Sequence, residues 1–129
     1  MPRRKQLSSL FNIMTTHTLD AKGKTLGRLS SEIATLLQGK NAAGFNPRIV
    51  GENKVIVKNV RSVKLTGKKE EQKTYYRHTG YVGHLKEEKF KDAFVKNPAW
   101  VLKRAVRGML PKNKLASERL KMLVIEDNE

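Results

Sequence analysis

The stretch PAWVLKRAVRGMLPKNKL, residues Pro98–Leu115, carries the pattern from which the fold is interpreted. At about 100° per residue its apolar side chains fall on one side of a helix. They are Val101, Leu102, Ala105, Val106 and Met109, while Trp100, Lys103, Arg104 and Arg107 lie opposite. Pro98 suits the first helical turn, and Gly108 and Pro111 suit the end. The pattern predicts a helix with one face on a core and a cationic face suited to phosphate. The alternative is a charged face that only solvates a surface helix.

The amino-acid composition limits the classes of protein to which the chain can belong. The chain has 129 residues, with 27 Lys and Arg against 12 Asp and Glu, a formal net charge of +15. A chain of this length predicts one domain, and the charge excess repels itself until a polyanion relieves it. Nucleic acid is therefore the first partner to consider and an anionic membrane the second. The chain has no cysteine, which excludes disulfides and thiolate chemistry and is typical of a reducing compartment such as the cytoplasm. No apolar run approaches the ~20 residues that span a bilayer.

The chain divides into three parts. Residues 1–16 carry Arg3, Arg4 and Lys5 without an acid, and we expect a basic arm that orders on its partner or packs as a short helix. An organelle transit peptide is the alternative. We expect residues 17–125 to form a single α/β domain that binds rRNA or another polyanion, and residues 126–129 to form an acidic end that avoids it.

The first unit is a strand over His17–Ala21 and a helix over Thr25–Gln38. Its apolar stripe has helical spacing, Thr25 is a plausible N-cap, and Gly39 suits the position after the helix. The run GKT at 23–25 resembles the end of a P-loop, but that motif needs a glycine where Thr18 stands. The turn predicts a site for a single phosphate at a helix amino terminus, flanked by Lys22, Lys24 and Arg28.

The next segments favour a parallel sheet. Residues 41–53 have loop composition, and Lys54–Val57 has the β-branched character of a buried strand. Arg61–Thr66 is a candidate for a further strand. Strand, helix and strand in this order predict an α/β arrangement with a right-handed crossover.

Residues 66–83, TGKKEEQKTYYRHTGYVG, interleave cations and tyrosines. Flat rings among cations suit RNA, whose unpaired bases stack. The alternative is a strand in which Tyr75 or Tyr76 packs inward, and both interpretations hold together if one ring faces each way. His78 and His84 have no carboxylate nearby until Glu87, so a metal site is not expected. No serine has a hydrolase context.

The last third predicts a helix over Leu85–Val95 whose Leu85, Phe90 and Phe94 reach the core. The cationic helix of the opening stretch follows. A short helix at 115–120 and a strand at 121–125 complete the predicted elements.

Seven motifs, in this order, resemble the thirteenth large-subunit ribosomal protein family, of the universal bacterial type. They are LDAKGKTLGRL (19–29), GK (39–40), VIVKN (55–59), KLTGKK (64–69), KTYYRHTGYVG (73–83), AVRGMLPKNKL (105–115) and RLKMLVI (119–125). The chain departs from the family at Thr16 and His17, where a tryptophan is usual, and at His84, which replaces a glycine.

The resemblance implies a three-layer α/β/α fold around a mainly parallel sheet of about four strands. It implies binding to large-subunit rRNA, a role in early subunit assembly, neighbouring ribosomal proteins, and no catalysis or cofactor. The family's RNA-facing motifs fall on Lys24, Thr25, Arg28, Thr66, Gly67, Lys68, Lys69, Lys73, Tyr75, Tyr76, Arg77, His78, Thr79, Gly80, Arg107, Gly108, Lys112 and Lys114. Residue chemistry adds Lys22, Lys40, Tyr81, Lys103 and Arg104 to the predicted interface.

The sequence is compatible with three candidate functions. The first is a structural rRNA-binding protein without a small-molecule substrate, a membrane or a homo-oligomer. The second is a small phosphotransfer or nucleotide-binding enzyme that uses the turn at 22–28. The third is a basic DNA-binding protein, which the absence of a helix-turn-helix or zinc pattern weakens.

Overall fold

A computed structural model describes residues 15–127. The strands are β1 (Thr15–Asp20), β2 (Asn53–Lys58), β3 (Thr74–His78), β4 (Leu85–Lys89) and β5 (Leu123–Glu126). The helices are α1 (Leu26–Gln38), α2 (Lys69–Gln72), α3 (Phe90–Lys96), α4 (Pro98–Met109) and α5 (Leu115–Lys121), with a 3-10 turn at Val60–Ser62. None of the helices within residues 15–127 has the length and apolar composition of a membrane span.

The sheet confirms the α/β class. β1, β2 and β5 lie side by side in the order β1-β2-β5, and both pairs are parallel, with Val55 opposite His17 on one side and Leu123 on the other. Residues 15–127 supply three strands to this sheet, with one further parallel bridge between Thr25 and Lys64. β3 and β4 form a separate antiparallel hairpin.

Helix α1 forms as its apolar spacing predicts. Leu26, Leu29, Ile33 and Leu37 are buried against α4 and β2. The helix ends at Gly39, whose φ of 78° allows its N–H to donate to the carbonyl of Leu36. Thr25 occupies the predicted N-cap position with an extended backbone. Its side chain makes no capping hydrogen bond.

Helix α4 presents its apolar side to the core. Val101, Leu102 and Val106 are fully buried, and the cationic side faces solvent. Its start is fixed by Pro98 in the first turn and by the Asn97 side chain, which accepts a hydrogen bond from the N–H of Trp100 at 3.1 Å. The helix ends at Met109, one residue after Gly108, and Leu110 caps it just before Pro111, as predicted. One detail of the prediction was wrong, because the side chain of Met109 is exposed.

Two predicted elements were wrong. Arg61–Thr66 is not a strand, because Asn59 adopts a left-handed conformation with φ 59° and turns the chain into the 3-10 segment, where Val60 is buried. Leu85–Val95 is not one helix, because residues 85–89 pair with β3 and only Phe90–Lys96 is helical. Leu85 is consequently exposed rather than in the core.

Arg119 on α5 is a buried cation. It is 1% exposed, and its Nη2 donates to the carbonyl oxygen of Ile49 at 3.3 Å, whereas its Nε has no acceptor among the described residues. The guanidinium thereby ties the connection between α1 and β2 to the body of the domain. At the end of that connection Gly51 touches the carbonyl of Leu37 so closely that a Cβ would lie 2.8 Å from the oxygen.

The predicted terminal segments fall largely outside the described residues. Positions 1–14 of the expected basic arm lie there, and Thr15 and Thr16 belong to β1. Of the acidic end, Glu126 completes β5 and its carboxylate lies 4.0 Å from the ammonium of Lys58.

Candidate nucleic-acid interface

A cationic groove lies beside the carboxyl-terminal half of α4. Its volume is about 600 Å³, and its lining residues are Arg104, Arg107, Gly108, Lys112, Asn113 and Ala116. Among residues 15–127 the lining contains three cations and no carboxylate. Such a concave, one-sign surface concentrates field and attracts an anionic chain. We call these six residues the α4 groove.

The local sequence explains the α4 groove. Arg104 and Arg107 are three residues apart and therefore neighbours on one helix face. The chain then turns, with the N–H of Asn113 donating to the carbonyl of Pro111 at 3.0 Å and the Asn113 side chain accepting from the N–H of Leu115 at 3.1 Å. Lys112, at the centre of this turn, lines the same groove as Arg104 and Arg107. Gly108 is exposed between these cations and leaves room for close approach.

Trp100 links α4 to the tyrosine hairpin. Its ring lies edge-on to Tyr75 with centroids 5.1 Å apart, and the guanidinium of Arg104 lies 5.7 Å from the Trp100 ring centroid. A guanidinium over an indole face is held in place by its attraction to the ring electrons. The contact orients Arg104 at one end of the α4 groove. Lys103, also predicted to face a partner, is exposed on the same helix.

The turn at 22–28 is built around Asp20. One oxygen of its carboxylate accepts hydrogen bonds from the N–H of Lys22 at 2.9 Å and from the Asn59 side chain at 3.0 Å. These hydrogen bonds, the backbone one foremost, hold the pKa of Asp20 below its usual value. The turn is therefore ordered before any ligand arrives, and the side chain of Lys22 is exposed on it.

Backbone hydrogen bonds join this turn to the second predicted cluster. Lys64 donates to the carbonyl of Lys24 at 3.0 Å and accepts from Leu26 at 3.0 Å. The exposed residues Thr66, Gly67, Lys68 and Lys69 follow directly. The ammonium of Lys24 pairs with the carboxylate of Glu32 at 3.0 Å.

Helix packing sets which clusters are neighbours. The hydroxyl of Ser31 on α1 lies 3.2 Å from the sulfur of Met109, so the end of α4 lies beside the first half of α1, near the exposed Arg28. Lys40 is not part of this group. Lys40 follows the carboxyl-terminal end of α1. Because a helix of 13 residues is about 20 Å long, Lys40 lies far from the cations at the start of α1.

The hairpin β3–β4 confirms that the two adjacent tyrosines face opposite ways. Tyr75 is half-buried against the core, and its burial raises the pKa of its hydroxyl. The ammonium of Lys73 lies 5.4 Å from the Tyr75 ring centroid. Tyr76 is 56% exposed and free to stack. The remaining predicted residues of this block, Arg77, His78, Thr79, Gly80 and Tyr81, are all exposed.

A second groove, of about 840 Å³, lies between this hairpin and helices α3 and α4. Its lining mixes cations with the carboxylates of Glu87, Glu88 and Asp92, and Glu88 is paired with Lys96 at 2.7 Å. Carboxylates repel phosphate, so this groove suits an RNA backbone less well than the α4 groove does. Within residues 15–127 no group of three or more His, Asp or Glu is placed to hold a metal ion.

Sequence reasoning missed three contributors to this surface. Asn113 and Ala116 line the α4 groove although neither carries a charge. Trp100 was assigned to the solvent face without its contact to Tyr75. The Asn-Pro pair at 97–98 is typical of a helix start. It indicated that Trp100 lies in the first turn of α4.

Fold and surface together define a basic α/β protein with a preformed cationic groove. A family model described as Ribosomal protein L13 matches residues 14–128. Large ribosomal subunit protein uL13 of Clostridioides difficile (strain 630) is 50% identical over 107 residues, 83% of this chain and 75% of the relative. Large ribosomal subunit protein uL13c of Gracilaria tenuistipitata var. liui is 46% identical over 114 residues, 88% and 80% of the two chains. The chain belongs to the ribosomal protein L13 family.

Proposed function

We propose that this protein is a structural component of the large ribosomal subunit that binds large-subunit rRNA and supports early subunit assembly, without catalysis. The α4 groove carries the proposal, because three cations and, within the described part of the chain, no carboxylate line it. The names of the relatives support the ribosomal setting. Neighbouring ribosomal proteins complete the expected partners.

The groove and the joined clusters at 22–28 and 66–69 supply the phosphate contacts. Phosphate contacts provide affinity and register, while unpaired bases and RNA shape provide selectivity. Binding releases the counterions condensed on the RNA, and the charge excess of the protein is relieved at the same time.

A salt titration tests the proposal. The probe is deproteinised large-subunit rRNA from Clostridioides difficile, and binding is measured by filter retention. Neutralising about 6–10 phosphates predicts a loss of affinity of about 10³–10⁵-fold between about 50 and 200 mM salt. A flat salt response would contradict phosphate-driven binding.

The enzyme alternative is tested on the same preparation. ATP with Mg²⁺ should leave the melting temperature unchanged, since Thr18 stands where a P-loop needs glycine. Structured rRNA should raise the melting temperature, because a ligand that binds only the native state stabilises it. A shift with ATP and none with rRNA would favour the nucleotide-binding enzyme.

Gly108→Ala should raise stability and lower RNA affinity. Glycine in a helix interior costs about 0.5–1 kcal/mol relative to alanine, which is the upper limit for Gly108 because it is one residue from the end of α4. A Cβ at position 108 meets no atom of the protein within 4 Å. The same methyl group would obstruct RNA in the α4 groove. Urea unfolding and rRNA binding measure the two effects.

Thr35→Ala on the exposed side of α1 is the matched control. It also improves helix propensity, and it lies outside the groove lining, so stability should rise while rRNA affinity stays unchanged. Equal RNA binding by Gly108→Ala and the parent protein would show that RNA does not approach this glycine.

A further inference from the structure

The connection between α1 and β2 exposes a weakly charged, apolar surface. Residues 41–49 are all exposed, and Ile49 is 60% and Phe45 39% exposed. Although 30% of the residues in the chain are charged, Arg48 is the one charged residue in the stretch NAAGFNPRIVG at 41–51. Exposed apolar surface on so basic a protein is typical of an interaction site.

A tight turn lies at the centre of this connection. The N–H of Ile49 donates to the carbonyl of Asn46 at 3.2 Å, and the side-chain oxygen of Asn46 accepts from the N–H of Arg48 at 3.0 Å. Such a turn brings its first and fourth residues to within about 7 Å of each other. Because Phe45 directly precedes the turn and Ile49 completes it, both large apolar side chains flank the same turn. We call residues 45–49 the connection turn.

Two buried polar side chains hold the connection to the body of the domain. The guanidinium of Arg119 donates to the carbonyl of Ile49 at 3.3 Å. The side-chain amide of Asn53 donates to the carbonyl of Leu36 at 2.8 Å and to the side-chain oxygen of Asn41 at 3.0 Å. A surface that is ordered before binding loses less conformational entropy when a partner arrives. The connection turn is therefore presented in a conformation ready for binding.

The charge of the connection favours a protein partner over RNA. RNA phosphates are neutralised by cations, and the connection turn supplies one, Arg48. The phosphate cluster at 22–28 precedes α1, whereas the connection follows the carboxyl-terminal end of that helix, and none of residues 41–51 lines the α4 groove. The centres of protein–protein interfaces are apolar, poor in charge, and enriched in aromatic residues and arginine. The connection turn has this composition.

We propose that the connection turn inserts into an apolar pocket of a neighbouring protein in the large subunit, with Phe45 and Ile49 buried in the pocket and Arg48 at its rim. This inference rests on the proposed function, because that function supplies the large-subunit setting. The chain then joins two partners, with rRNA bound at the α4 groove and a second protein bound at the connection turn.

Cross-linking in assembled subunits identifies the partner. Because the chain has no cysteine, Ala43→Cys beside the connection turn and Ala116→Cys in the α4 groove each give one attachment point for a photoactivated cross-linker. Large subunits are reconstituted from Clostridioides difficile rRNA and proteins with each labelled chain. Position 43 should cross-link to a ribosomal protein, identified by mass spectrometry, and position 116 to rRNA. Cross-links from position 43 to rRNA alone, or to no ribosomal protein, would overturn the inference.

A competition assay measures what the two apolar side chains contribute. Replacing Phe45 and Ile49 together by serine should leave the affinity for free rRNA unchanged. The same variant should incorporate into large subunits about 30-fold less well than the parent protein, which is the loss expected for an interface hot spot. Ile49→Ser alone should show part of this loss in a folded protein, because the Ile49 side chain is not part of the core cluster. Circular dichroism serves as the folding control.

Val95→Ser on α3 is the matched control, since it removes an aliphatic side chain that is 79% exposed away from the connection. It should incorporate like the parent protein. Unchanged incorporation of the serine variants at 45 and 49, an equal loss from Val95→Ser, or a reduced affinity of the double variant for free rRNA would overturn this inference alone. Failure of the proposed function is distinguishable, because it would abolish the rRNA cross-link from position 116.

Discussion

Replacing Arg104, Arg107 and Lys112 together by glutamine is expected to lower the affinity for large-subunit rRNA by about 10²–10³-fold at about 100 mM salt. The three side chains line one groove, to which the residues that the structure describes contribute no carboxylate. Removing three phosphate contacts should also reduce the slope of log affinity against log salt by about 2.7, since each contact contributes about 0.9. Filter binding over a salt series measures both quantities.

The matched control removes three exposed cations that lie outside the α4 groove, Lys54, Lys91 and Lys121. The net charge of the two triple variants is the same, so the comparison separates a located contact from a general charge effect. We expect the control to retain most of the salt slope. Equal losses in both variants would show that binding follows net charge and not this groove. Arg107→Glu alone should weaken binding while the protein stays folded, because the core face of α4 is untouched.

Leu102→Ala is expected to destabilise the protein by about 2–5 kcal/mol, because it removes a fully buried side chain and leaves a cavity between α4 and the core. Domains of this size have a free energy of unfolding of only about 5–15 kcal/mol, so this substitution should remove a large part of the native stability. Urea denaturation measures the change in the free energy of unfolding.

The next residue provides the control for this effect. Lys103 is exposed on the same helix, and Lys103→Ala should change the free energy of unfolding by less than about 0.5 kcal/mol. Similar losses in the two variants, or a tolerated Leu102→Ala, would mean that the helix faces the core differently from the structure described here.

The long amphipathic helices were predictable because periodicity and end signals agreed. In α1 the apolar spacing and Gly39 indicate the same boundaries, which the structure confirms within one residue at the start. In α4 the spacing of the apolar residues and the cations correctly predicted which face of the helix packs on the core. The apolar strand β2 was equally clear, since β-branched residues in a short run suit a buried parallel strand.

Short segments failed because their conformation depends on partners distant in sequence. LKEEK at 85–89 is rich in residues that favour helices, yet it pairs with β3, with Glu88 opposite Tyr75. The segment after β2 looked like a strand, but the left-handed Asn59 redirects it. Local propensity is a weak guide where tertiary pairing decides.

The sequence predicted which types of residue form the candidate site, but it predicted less well which of them lie together. The sequence indicated cations on α4 and at the turn after β1, and the Ser31–Met109 contact places the end of α4 beside the first half of α1. The pairing of Lys24 with Glu32 and the separation of Lys40 depend on the packed fold. The exposure of Val82 has no sequence signal beyond its place between two glycines.

Directed cleavage of rRNA from the α4 groove tests whether RNA lies against this groove. Because the chain has no cysteine, Ala116→Cys in the groove and Glu126→Cys at the acidic end each give one attachment point for iron-EDTA. In large subunits assembled with each labelled protein, hydroxyl radicals from position 116 should cut a compact set of rRNA nucleotides, and those from position 126 should cut few. Equal cleavage from both positions, or none from position 116, would contradict RNA binding at this groove.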